Sequence, residues 1–148
     1  MMMKNIFIDT NILVYATQTE FLVHREKAIA IFENLEMNYF ISNQIINEYC
    51  NVVTNKNLYK NYLTMADAAF NIKKFVEDFS IVSIPSYKPH SFEEAVEKYK
   101  IERKKIFDFS IYYTMIQNDI YAIATANEKD FIIFPDIEII NPFKEVQM

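Results

Sequence analysis

The sequence predicts one α/β domain on a mainly parallel sheet, spanning residues 1–148. Short apolar runs that end in polar residues alternate with amphipathic helical stripes, and no linker, low-complexity tract or fixed-period repeat interrupts them. The four prolines, Pro85, Pro89, Pro135 and Pro142, fall between the periodic segments rather than inside them. A chain of this length can bury about 70% of its unfolded surface in a single core.

Asn5 to Ile8 is a short apolar run ending at Asp9, as expected of a strand buried on both faces, and Tyr39 to Ile41 is a second of the same kind. Between them, Glu26 to Leu35 carries Ala28, Ile29, Ile31, Phe32 and Leu35 at helical spacing. Ser42 precedes another stripe, Ile45, Ile46, Tyr49, Val52 and Val53. Thr64 followed by Asp67 predicts a capped helix to about residue 78, and Ser91 with Glu94 a capping box for a helix to about 102. Phe79 to Ile84 reads as a strand. A helix from about Phe107 to Asn118, an apolar run Tyr121 to Ala124 and a short strand near Ile137 to Ile140 complete the alternation. Parallel strands with helices on both faces bind ligands beyond the carboxyl ends of the strands, near a switch in strand order.

Composition removes several classes of function. Hydrophobic residues at 51% make the chain too apolar for disorder, yet no 18-residue apolar run could cross a bilayer. Asp9 interrupts the first apolar stretch before a signal-peptide core could form, so a cytoplasmic protein with no membrane partner is expected. One cysteine, Cys50, rules out an internal disulfide and a multi-cysteine zinc site, and two distant histidines argue against a histidine-rich centre. The absence of glycine removes phosphate-cradling loops. No nucleophile elbow is present, and Asn11 stands where an aspartyl-phosphate enzyme would carry a second aspartate. A net charge of −5 would repel a nucleic acid, so any such binding must rest on a local basic patch.

Four segments carry candidate chemistry. Asp9 lies just past the first strand, where it could serve a ligand or merely cap the next helix. Glu48 lies about 90° from the centre of its helix's apolar stripe, where core meets solvent. Asp108, near the start of a helix, sits at the edge of the stripe Phe109, Tyr112, Tyr113 and Ile116, and complementing the helix dipole is its ordinary role. After the fourth strand comes a polar turn holding Asn127, Glu128 and Asp130. If the first and fourth strands are neighbours, all four segments meet.

These segments resemble the PIN-domain ribonucleases, in particular the VapC-like toxins of toxin–antitoxin pairs. Ile8-Asp9-Thr10-Asn11-Ile12-Leu13 is similar to the family's opening motif and Ile41 through Tyr49, containing Glu48, to its second. Ile106-Phe107-Asp108-Phe109-Ser110 matches the third acidic position. Thr125-Ala126-Asn127 through Asp130-Phe131 is similar to the closing motif, with Asn127 where many members carry aspartate. The glycine often found before the third acid is missing, and Phe109, Tyr112 and Tyr113 replace small residues after it. The resemblance implies a three-layer α/β/α fold with a five-stranded sheet, an acidic triad of Asp9, Glu48 and Asp108, and a fourth ligand at Asn127 or Asp130. It also implies a small antitoxin partner and a homodimer.

Clustered carboxylates repel unless a cation neutralises them, and oxygen ligands suit Mg²⁺ or Mn²⁺. With the resemblance, this implies metal-dependent endoribonuclease cleavage, with Asp9, Glu48, Asp108 and Asp130 as catalytic groups and Thr10, Asn11 and Thr125 supporting them. Arg103, Lys104 and Lys105, with Lys100, concentrate positive charge before Asp108 and are the expected RNA contacts. Lys56, Tyr59, Lys60 and Tyr62 form a second basic-aromatic stretch that reads more readily as a solvated face. The alternative function is a PIN-fold nucleic-acid-binding or scaffold protein without turnover.

Overall fold

The computed structural model describes residues 3–145. Five strands, β1 (Lys4–Ile8), β2 (Met37–Ser42), β3 (Phe79–Val82), β4 (Ala122–Ala124) and β5 (Glu138–Ile140), form one sheet in the order β3-β2-β1-β4-β5. Every neighbouring pair is parallel, as the buried apolar runs require. Helices α1 (Thr10–Thr17), α2 (Leu22–Ile31), α3 (Asn43–Val53), α4 (Met65–Asp78), α5 (Pro89–Tyr99), α6 (Lys105–Gln117) and α7 (Glu128–Phe131) supply the connections. The result is a three-layer α/β/α arrangement. Strand order reverses about β1, so the crevice beyond the carboxyl ends of β1 and β4 is the topological switch point.

The core lies on both faces of the central strands. Ile6, Phe7, Ile8, Ile41 and Ile123 are fully buried, and Ile12, Leu13, Ile45, Tyr49 and Met115 pack on them from the helices. Each such side chain contributes about 1.5–3 kcal/mol of burial. β1 aligns Phe7 with Ile123 and Ile8 with Ala124 of β4, and Asp9 N–H donates to the Ala124 carbonyl at 3.0 Å. That register holds Asp9 level with Thr125. Among the described residues no helix is long and apolar enough to cross a membrane.

The cap predicted at Thr64 forms, its hydroxyl accepting from Asp67 N–H at 3.1 Å. Two other expectations need correction. The helix expected over Glu26 to Leu35 runs four residues earlier at its start and stops at Ile31. Asn34 ends it by accepting from Glu36 N–H at 2.9 Å in a local turn, which leaves Leu35 90% exposed. The capping box at Ser91 is absent: α5 begins at Pro89, whose fixed φ and missing N–H suit a first helical position. Glu94 there meets His90 at 2.9 Å instead. α5 also ends at Tyr99, short of residue 102, because Lys100 turns the chain at φ 50°. Without glycine, such left-handed corners fall to Lys100, Arg103, Asp119 and Asp136.

Candidate active site

Asp9 follows β1 and opens α1, forming the helix cap foreseen for it. As N-cap its Oδ1 accepts from Thr10 N–H at 2.7 Å. Its Oδ2 accepts from the Thr125 hydroxyl at 2.7 Å and from Asn11 Nδ2 at 3.3 Å. Asn11 Oδ1 in turn accepts from Ala126 N–H at 3.0 Å, and Thr125 Oγ1 accepts from Asn127 N–H at 3.0 Å. The end of β4 is thereby laced to the end of β1. Despite these donors, burial raises the Asp9 carboxyl to about 6, with smaller contributions from the Glu48 and Asp130 charges.

Glu48 reaches the same place from α3. Its Oε2 accepts from the Thr10 hydroxyl at 2.8 Å and its Oε1 from Gln44 Nε2 at 3.0 Å. Gln44, one helical turn before Glu48, also donates to the Phe107 carbonyl at 3.2 Å and so ties α3 to the start of α6. There Asp108 is half-buried in the first turn. Desolvation pushes its carboxyl up to about 7, and Asp130, Asp9 and Glu48 add repulsion that Lys105 only partly offsets.

A cavity of about 380 Å³ is bordered by Asp9, Thr10, Asn11, Glu48, Asp108 and Asn127. Asp130 does not line it. Asp130 instead borders a neighbouring cavity of about 480 Å³ with Lys104, Lys105, Asp108 and Lys129. Asp108 is common to both. Arg103 is exposed and lines neither, and of the second basic-aromatic stretch only Tyr59 borders the first cavity. Gln44, Lys129 and Phe107 were missed from the sequence. Gln44 had a signal, being spaced four residues before an acid on a helix. Lys129 was hidden by the acids on both sides of it, and Phe107 by lying outside the helix's apolar stripe.

Among the described residues, no three His, Cys, Asp or Glu side chains stand close enough to hold a metal ion as they are. The donor set nonetheless fits a hard cation. All the candidate donors are carboxylate or amide oxygens, and burial, with repulsion from the neighbouring acids, raises Asp9 and Asp108.

The PIN domain family model matches residues 6–137. Among solved structures, the chain is similar to VapBC2 from Rickettsia felis bound to a promoter DNA fragment, at TM-score 0.63 and 18% identity over 93% of this chain and 98% of that one. It is similar to DNA-bound VapBC from Salmonella typhimurium at TM-score 0.63 and 14% identity, over 95% and 99% of the two chains. It also resembles VapC20 of Mycobacterium tuberculosis, a toxin that cleaves the sarcin-ricin loop, at TM-score 0.59 and 13% identity over 80% and 86%. No curated protein sequence matches. With the family pattern spanning β2, β3, β4, most of β1 and every acidic segment, the chain belongs to the PIN domain family.

Proposed function

We propose that this protein is a Mg²⁺- or Mn²⁺-dependent endoribonuclease that hydrolyses RNA phosphodiester bonds as the toxin of a toxin–antitoxin pair. The observation that carries this is the meeting of Asp9, Glu48 and Asp108, from β1, α3 and α6, on one cavity at the switch point. Their charges oppose one another there.

Asp9 and Asp108 would hold the principal ion. Glu48 would position a second ion or the attacking water, and Asn127 or Asp130 would complete the set. A bound divalent cation supplies an acidified water and neutralises charge on the phosphodiester and the leaving oxygen. The chain's own residues do the orienting. Thr125, Asn11 and the Thr10 N–H fix both oxygens of Asp9 in one geometry. Thr10 and Gln44 do the same for Glu48. Lys104, Lys105 and Lys129 offer cations to the substrate's phosphates beside Asp108, with Arg103 further out.

The partner reading draws on the VapBC neighbours, which were solved as complexes bound to DNA. A small antitoxin covering the acidic cavity, a homodimer and a cytoplasmic location belong to the same proposal. The rival reading, a binding or scaffold protein without turnover, draws on the open spacing of the carboxylates and on Asn127.

Incubating purified protein with assorted RNAs and Mn²⁺ separates the two. Cleavage is expected, reduced more than about 100-fold in Asp9→Ala. Undiminished cleavage by Asp9→Ala would refute the site assignment, and no cleavage by the wild type would favour the rival.

A further inference from the structure

The two phenylalanines flanking Asp108 meet opposite fates. Phe109 is 3% exposed and packs its ring among Tyr87, Phe92, Tyr113 and Phe134. Phe107 is 56% exposed, has no ring partner among the described residues, and borders the cavity that holds the carboxylates. A large ring left in water beside an acidic centre forgoes burial worth about 1.5–3 kcal/mol. Its backbone is nevertheless pinned, since Gln44 grips the Phe107 carbonyl with the same amide that holds Glu48.

The remaining walls of that cavity divide by chemistry. Asp9, Glu48, Asp108 and Asn127 are polar, whereas Val52, Tyr59, Phe107 and Ile111 are apolar or aromatic. Tyr59 also lacks a ring partner among the described residues, and burial raises its phenol above the ordinary value. A volume of about 380 Å³ falls within the range of small-ligand pockets. On the far side of Asp108, the adjoining cavity presents Lys104, Lys105 and Lys129. An apolar and aromatic wall, a carboxylate centre and a set of cations therefore border two cavities that share Asp108. That series matches a base, its linking phosphate and the next phosphate of one strand.

We propose that Phe107 and Tyr59 form a stacking subsite for one unpaired base of a single-stranded RNA, whose neighbouring phosphate lies on Lys104, Lys105 and Lys129. This rests on the ribonuclease reading above.

The test uses the full chain and fluorescein-labelled oligo(A) and oligo(U) dodecamers, beside a dodecamer of abasic ribose phosphates. Binding is read by anisotropy in Mn²⁺ before cleavage is detectable. Phe107→Ala is expected to weaken binding of the base-bearing strands about tenfold, and Phe107→Trp to restore it. The abasic strand should bind wild type and Phe107→Ala alike, which a merely structural role for the ring would not produce. Equal affinity of wild type and Phe107→Ala for oligo(A) and oligo(U), or an equal loss on the abasic strand, overturns the subsite. If the wild type still cleaves these RNAs in that case, the ribonuclease reading survives alone. If the wild type neither binds nor cleaves them, both fall together.

Discussion

The two ends of the sheet handle charge in opposite ways. At the amino end, Lys4 pairs with Glu138 across β1 and β5, and Asn38 Nδ2 donates to Asn5 Oδ1 at 3.1 Å between β2 and β1. At the carboxyl end, Asp9, Glu48 and Asp108 border one cavity and Asp130 the next, and their charges repel. Among the described residues none of the four forms an ion pair. One end is arranged as folding alone would arrange it, with opposite groups matched. The other keeps a tension that costs stability and that Lys105 only partly offsets, a pattern that marks functional sites.

The largest test of this contrast is the pH dependence of stability without metal. The folded Asp9 value of about 6 lies above the ordinary 3.8. Between those pH values the folded chain keeps a proton that the unfolded chain has lost. The favourable contribution is therefore complete below about pH 4 and is lost as pH rises through 6, a fall of about 3 kcal/mol. Asp108, raised to about 7, extends the loss in the same direction toward neutral pH. Urea denaturation in EDTA should show it, and Asp9→Asn should flatten the profile.

Next in size is Thr125→Val. The buried hydroxyl donates to Asp9 and accepts from Asn127 N–H, so its removal should cost about 2 kcal/mol in denaturant midpoints. It should also raise the Asp9 carboxyl further, because the Thr125 bond now opposes that rise. Asp108→Asn should act the other way. It removes a repelled charge and should stabilise the metal-free protein by about 1 kcal/mol at pH 8, while cleavage is lost. Smallest is Lys4→Ala at the paired end. An exposed ion pair is worth about 0.5 kcal/mol or less, and RNA cleavage should not change. An effect of Lys4→Ala on cleavage would break the contrast between the ends.

The acidic centre was legible because strand ends are legible. Asp9 follows a run of apolar residues, and Glu48 and Asp108 interrupt helical stripes at their edges, so they would meet at one crevice if the first and fourth strands were neighbours. β1 and β4 do prove to be neighbours, which was the condition for convergence. Cap geometry was less legible. Thr64 caps as written, but Ser91 lost to Pro89 because a proline in the first turn fixes the helix start more firmly than a hydroxyl. Phe107 and Phe109 show the deeper limit. Both are aromatic neighbours of the same acid, and the helical period assigns only one of them to the core. What the other faces depends on α3, α1 and the segment holding Tyr59, none of which is near in sequence.

The central claim, that the carboxyl end of the sheet gathers its acids for a divalent cation, is tested most directly by thermal unfolding at pH 8 across a range of Mn²⁺ concentrations. The wild type should unfold at progressively higher temperature, gaining about 2.7 kcal/mol at a hundredfold excess over the dissociation constant. The doubly substituted Asp9→Asn, Asp108→Asn chain should not respond. A wild-type midpoint indifferent to Mn²⁺, or an equal rise in both proteins, would contradict it.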